Sequence, residues 1–213
     1  MSFRKQNTAG RPPALFYIEP AQKVVPTYVT QLVQGRLERI EQGSRMTASV
    51  SLVFDGGYYI LVDSPSSADL KAKETMLRCL SAKSINPGEV QLAVTTHGHP
   101  DHFGQGNFFP NARHFFGSYE YVDDVYIKTE LDANDTMKIT SNVELWNTPG
   151  HTAQDISVIV SKVPCCGIVA VPYTFPPFTF TPSQGASAFQ ATTTSSGPIG
   201  TPHSVPQLND VGE

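Results

Sequence analysis

Thr95-Thr96-His97-Gly98-His99-Pro100-Asp101-His102 is the stretch on which the reading of this chain turns. Four side chains able to ligate a metal fall within six residues, directly after the apolar run Val90 to Thr95. Neutral imidazole is a good ligand for zinc and for other borderline divalent metals. In extended backbone His97 and His99, two residues apart, point the same way. Gly98 lets the main chain pass close to an ion, and Pro100 turns it so that Asp101 and His102 face a neighbouring volume. One loop could thus build two adjacent metal subsites, and packing alone gives no reason for this spacing.

A second element, Thr148-Pro149-Gly150-His151-Thr152, follows a strand expected over Val143 to Trp146. A histidine presented by a Pro-Gly turn can close a site from the opposite side. His97, His99 and His151 would supply three nitrogens and leave a fourth position open, the arrangement expected of catalytic zinc. An ion so held lowers the pKa of its bound water towards 7 and supplies hydroxide. His114, beside Phe115 and Phe116, reads instead as a strand histidine, and His203 as a solvated one.

Working outward, Tyr28 to Gln34 reads as a strand, Gly35 to Arg45 as a polar connection, and Thr47 to Phe54 as a strand with Val50, Leu52 and Phe54 on one face. Asp55-Gly56-Gly57 is a hairpin turn, and Tyr58 to Val62 is the return strand, ending at Asp63. Ser66 or Ser67 caps a helix running to about Ala82, with Leu70, Leu77 and Leu80 on one stripe and Met76 or Glu74 near it. Further strands are expected at Val90–Thr95, His114–Phe116, Met137–Thr140, Val143–Trp146, Ile156–Val160 and Gly167–Val171. These roughly eight strands with a helix among them predict a layered α+β domain, not a doubly wound sheet.

The totals narrow the function classes. The chain has 213 residues and a net charge of −4, which argues against a general polyanion binder. No apolar run reaches the roughly 18–20 residues of a membrane span, and no apolar segment follows Arg4, Lys5 and Arg11 as a secretory signal would require. Cys79, Cys165 and Cys166, odd in number and without CxxC spacing, read as ordinary buried thiols on a helix and a strand. No disulfides are expected, and the setting suits the cytosol, with the nucleus as an alternative. Residues 1–22, broken by Gly10, Pro12 and Pro13, read as a loose arm. Residues 172–213 hold 23 Pro, Thr, Ser or Gly among 42 positions, so this Pro/Ser/Thr-rich stretch reads as a disordered tail and 23–171 as the domain.

His97 to Asn107, with HGHPDH inside it, and Trp146 to Val158, with TPGHT, resemble the metallo-β-lactamase superfamily of metal-dependent hydrolases, and within it the metallo-β-lactamase domain-containing protein 1 group. Asp63, in Ile60-Leu61-Val62-Asp63-Ser64-Pro65, matches the family's first motif. The resemblance implies a four-layer αββα sandwich, with His97, His99 and His151 as one metal site and Asp101 and His102 beginning a second. It implies that Asp63 braces the metal loop. One or two zinc ions, or another divalent metal, are the implied cofactor. Asp101 would orient the attacking water or act as base. Implied substrates are small esters or thioesters, or an RNA phosphodiester, the group being associated with endoribonuclease action on histone pre-mRNA. A homodimer is compatible with this reading, and no membrane partner is implied.

The family pattern also expects a bridging Asp after the strand Gly167–Val171 and a later His completing the second site. Here Val171 is followed by Pro172-Tyr173-Thr174, the next Asp is Asp210, and His203 lacks the expected glycine context. The sandwich is therefore expected to be incomplete after residue 171. Whether the chain is an enzyme stays open at this point. The alternative is a catalytically impaired isoform with an alternative C-terminus, acting as a binding or regulatory protein. The aromatics Phe108, Phe109, Phe115, Phe116, Tyr119, Tyr121 and Tyr126 read as packing rather than as stacking surfaces for bases.

Overall fold

Runs of β-branched and aromatic residues separated by Gly, Pro, Asn and Asp turns give this chain its strands. The structure, a computed structural model, describes residues 25–172 apart from Cys165, and the backbone of residues 178–180. In chain order the elements are β1 (Tyr28–Val33), β2 (Arg36–Ile40), β3 (Gly43–Thr47), β4 (Val50–Asp55), β5 (Tyr58–Val62), α1 (Leu70–Ala82), β6 (Val90–Thr95), α2 (Pro100–Phe103), β7 (Arg113–Phe116), β8 (Tyr119–Val122), β9 (Val125–Lys128), β10 (Thr136–Lys138), β11 (Val143–Asn147), β12 (Ile156–Val163), β13 (Gly167–Val171) and β14 (Phe178–Phe180).

Seven strands form one sheet in the order β1-β4-β5-β6-β7-β8-β9, five form a second in the order β10 to β14, and β2 pairs with β3 as a separate hairpin. The sheets face one another across a core that includes Val53, Ile60, Val94, Leu145, Val158 and Val160, all almost fully buried. α1 covers the other face of the seven-stranded sheet, setting Ala72, Met76 and Leu80 against residues such as Leu52, Leu61 and Phe109. The described residues thus build helix, sheet, sheet: an α+β sandwich carrying three of the four layers expected.

Several sequence expectations shift. The segment read as a polar connection, Gly35 to Arg45, forms most of the β2–β3 hairpin, which runs on to Thr47 and pairs Leu37 with Met46. Fourteen strands are described where roughly eight were expected, the others missed being β8, β9 and β14. β4 is buried on both faces, because α1 packs on one side and the second sheet on the other. Val53 is therefore as buried as Val50 and Leu52, while Phe54 is only partly so. α1 starts later than read, because the cap is Asp69, not Ser66 or Ser67. The Asp69 carboxylate accepts the Ala72 N–H at 2.9 Å and the Thr47 hydroxyl at 2.8 Å. Leu70, expected on the stripe, is exposed, and the buried stripe is Ala72, Met76 and Leu80. Cys166 is exposed and Cys79 half-buried, and both are free thiols, so the buried-thiol reading does not hold for Cys166. Phe109 and Phe115 are core residues, but Tyr121 and Tyr126 are exposed. Phe178–Phe180 pairs antiparallel with β13, within the stretch read as tail. His203 and Asp210 lie outside the described residues. No helix among the described residues is long and apolar enough to cross a membrane.

Two features aim the site. β5, β6 and β7 run parallel, so the ends of β5 and β6, carrying Asp63 and His97, leave the sheet at the same edge. At the opposite end of β5, buried Asp55 ties the sheets together. Its carboxylate accepts the Thr27 hydroxyl at 2.7 Å, the Thr140 hydroxyl at 2.6 Å, and the Asn142 N–H and side-chain amide at 2.9 and 2.7 Å.

Candidate metal centre

β6 ends at half-buried Thr95, Thr96 and His97 follow it as buried residues, and the chain then emerges at Gly98 and His99 before Pro100 starts α2. The loop after β11 carries His151 to the same place. The second sheet meets this edge directly, since the Ile156 N–H donates to the Thr96 carbonyl at 2.9 Å.

His99 Nδ1 lies 2.9 Å from His97 Nε2 and 2.9 Å from His151 Nε2. One ligand atom from each of the three lies within 4.8 Å of the others. His97 is buried at the base of the cluster, whereas His99 and His151 are exposed, so the cluster opens to the surface. Burial, and then the neighbouring His102, His151 and His99, push His97 down to about 4. It is therefore neutral at pH 7 and offers a lone pair rather than a charge. Three converging imidazole nitrogens with an open side fit a zinc-like ion.

Two buried carboxylates hold the two loops. Asp63 adopts a left-handed backbone (φ 62°), which Asp tolerates better than most residues and which redirects the chain at the strand end. One carboxylate oxygen accepts the Thr96 N–H at 2.7 Å, and the other accepts the Thr96 hydroxyl at 2.9 Å and His102 Nδ1 at 2.8 Å. Asp155 does the same for the other loop, accepting the His151 N–H at 2.7 Å, the Thr152 N–H at 2.8 Å and the Thr152 hydroxyl at 2.7 Å. The sequence reading gave Asp155 no role. Its one signal was its place inside the Trp146 to Val158 stretch that carries the family resemblance.

Asp101 sits half-buried in the first turn of α2, with one carboxylate oxygen 3.6 Å from His102 Nε2. His102 is buried, and its ring centroid lies 4.1 Å from that of His97. Burial pulls the His102 pKa down, but the hydrogen bond to Asp63 and the charges of Asp63, Asp101 and Asp155 outweigh it and hold it above the ordinary value. Asp101 and His102 thus adjoin the three-histidine cluster without forming a three-donor group of their own among the described residues. His114, the strand histidine, faces the Phe109 carbonyl and is not part of the cluster.

The backbone around the cluster is tight. A Cβ at Gly104 would lie 2.2 Å from the Ser67 amide nitrogen and 2.7 Å from the Pro65 carbonyl oxygen. Only glycine lets the end of α2 pack on the segment leaving β5.

A family model described as the metallo-β-lactamase superfamily matches residues 44–164, which include every residue of this centre. The chain belongs to the metallo-β-lactamase superfamily. It is 67% identical over 126 residues to the protein C03F11.2 of Caenorhabditis elegans, covering 59% of this chain and 35% of that one. It is 36% identical over 93 residues to human metallo-β-lactamase domain-containing protein 1, covering 42% and 35%. The chain thus spans about a third of the length of these curated relatives. A metallo-β-lactamase structure from Thermotoga maritima superposes with a TM-score of 0.55 at 16% identity, over 68% of this chain and 77% of that one, a likeness of fold.

Proposed function

We propose that this chain is a metal-dependent hydrolase in which His97, His99 and His151 hold a zinc ion, with Asp101 and His102 beginning a second position. The observation that carries the reading is the convergence of three histidine nitrogens from two loops, each loop fixed by its own buried carboxylate. When bound, the ion supplies a nucleophilic water at neutral pH and polarises the bond to be cleaved. The chain's residues do the rest. His97 stays neutral because it is buried. Asp63 and Asp155 keep the donor loops from relaxing. Asp101, half-buried beside the cluster, orients the attacking water or accepts its proton. The substrate class is an ester, a thioester or a phosphodiester. The RNA phosphodiester, and histone pre-mRNA in particular, is the finer reading suggested by the sequence resemblance.

The test uses the purified full chain. Metal content is measured before and after chelation, and turnover is followed on p-nitrophenyl acetate, an acyl thioester, bis-p-nitrophenyl phosphate and a single-stranded RNA. Hydrolysis that chelation and His97→Ala both abolish, restored to the wild type by zinc, is the expected result. Bound zinc without turnover on any of the four would overturn the hydrolase reading and favour a binding or regulatory role.

A further inference from the structure

Thr96 is fully buried, and nothing in the hydrolase reading requires a hydroxyl there. Its Oγ1 nevertheless meets three polar atoms: an Asp63 carboxylate oxygen at 2.9 Å, His97 Nδ1 at 3.2 Å and His102 Nδ1 at 3.4 Å. A hydroxyl has one hydrogen and two lone pairs, and a carboxylate can only accept. The Thr96 hydrogen therefore goes to Asp63. His102 Nδ1, 2.8 Å from the same carboxylate oxygen, donates to it as well. With its hydrogen used, Thr96 Oγ1 can only accept from His97. The hydrogen between them must then sit on His97 Nδ1, which leaves the His97 Nε2 lone pair directed at His99 Nδ1, 2.9 Å away.

We propose that Thr96 is a positioning residue that fixes His97 as the Nδ1–H tautomer, so that Nε2 faces the cluster as a bare donor. The inference rests on reading His97 as a metal ligand only for its consequence, since the proton count holds without any ion. In a neutral imidazole the tautomer is set by the partner of the nitrogen not used for ligation. Asp63 then acts on His97 at one remove, through the orientation it imposes on the Thr96 hydroxyl. A single side chain thereby links the carboxylate after β5 to the ligand after β6. The main chain adds a second tie, because the Thr96 N–H donates to the other Asp63 oxygen at 2.7 Å.

The test is a long-range proton–nitrogen NMR correlation of the histidine rings, recorded near pH 7.5 on the chelator-treated full chain. Wild type, Thr96→Val and Thr96→Ser are compared. Valine keeps the branched shape and removes the hydroxyl; serine restores it. The wild type and Thr96→Ser are expected to show His97 protonated on Nδ1, and Thr96→Val to show a mixture with the Nε2–H form. Zinc affinity should fall about 10–100-fold in Thr96→Val and recover in Thr96→Ser. A wild-type His97 protonated on Nε2 would overturn the proposal, and so would an unchanged tautomer in Thr96→Val. If Thr96→Val fails to fold, the wild-type spectrum alone decides. Failure of wild-type zinc binding with the Nδ1–H tautomer present would defeat the metal reading and leave this assignment standing.

Discussion

Replacing Asp155 by alanine separates two roles that the structure gives one carboxylate. Asp155 is almost fully buried and accepts three short hydrogen bonds from the loop that carries His151. A hydrogen bond to a charged group contributes about 1.5–3 kcal/mol when lost outright. The full sum does not apply here, because His151 is exposed and Thr152 only half-buried, so the released donors regain water. A loss of about 2–4 kcal/mol of folding stability is the reasonable expectation. The second effect falls on the ligand. With its N–H untethered, His151 no longer points at His99 by default, and the ordering cost of the loop moves onto metal binding. Outer groups of this kind change metal affinity about 10–100-fold. Urea denaturation of the chelated protein reads the first effect, and competition with a chromophoric chelator for zinc reads the second. Asp155→Asn, which keeps one accepting oxygen, should fall between. Zinc affinity unchanged in Asp155→Ala, against a clear loss in His151→Ala, would refute the argument that the carboxylate holds the ligand loop.

Gly104→Ala should lower stability by several kcal/mol, on the order of 3, because the new Cβ meets backbone rather than a yielding side chain; its melting temperature and zinc content are the readouts. Asp55 gives a signed pH prediction. Burial raises its pKa, but hydrogen bonds from Thr140, Asn142 and Thr27 outweigh that and hold it below the ordinary 3.8. A carboxyl depressed in the folded state contributes stability that is present above the unfolded value and lost as pH falls through the folded one. Wild-type stability should therefore drop more steeply than that of Asp55→Asn below about pH 4, while at pH 7 the variant should be about 2 kcal/mol less stable by chemical denaturation. Leu145→Ala, between the sheets, and Met76→Ala, under α1, should each cost about 2–5 kcal/mol. Only Leu145→Ala should also weaken zinc binding measurably, since only it loosens the packing that brings His151 to His97.

Much of this was legible in the sequence where one rule acts alone. Val90 to Thr95, mostly apolar with Leu92-Ala93-Val94 at its centre, is a strand with that centre buried, and the Asp55-Gly56-Gly57 turn has positive φ at both glycines as such a hairpin needs. Other elements carried no such signal. β2 and β3 are exposed along nearly their whole length, so no alternation marks them. The β8–β9 turn is made by Asp123 and Asp124, at φ 48° and 62°, without the glycine or asparagine that announces such a turn. Ser66 and Ser67 look like helix caps, but Ser66 spends its hydroxyl on the Ala68 N–H, and the true cap, Asp69, is chosen by its contact with Thr47. The meeting of His97, His99 and His151 could be anticipated from spacing, because the capacity to ligate is a property of residue type. Thr96 and Asp155 could not, because their roles depend on which atoms the fold brings to them.

That difference explains how the centre is built. His97 and His99 belong to the seven-stranded sheet and His151 to the five-stranded one, so neither sheet contains the cluster. What joins them is a short seam: Asp63 to Thr96 and His102 on one side, Asp155 to His151 and Thr152 on the other, and the Ile156–Thr96 main-chain bond between. Each carboxylate fixes its own loop, but only the packing of the two sheets fixes the loops relative to each other. The three histidine nitrogens are therefore held together by the hydrophobic core as much as by hydrogen bonds. The Asp55 network at the far end of β5 serves the same end, holding the sheets in register so that the open edge keeps its spacing.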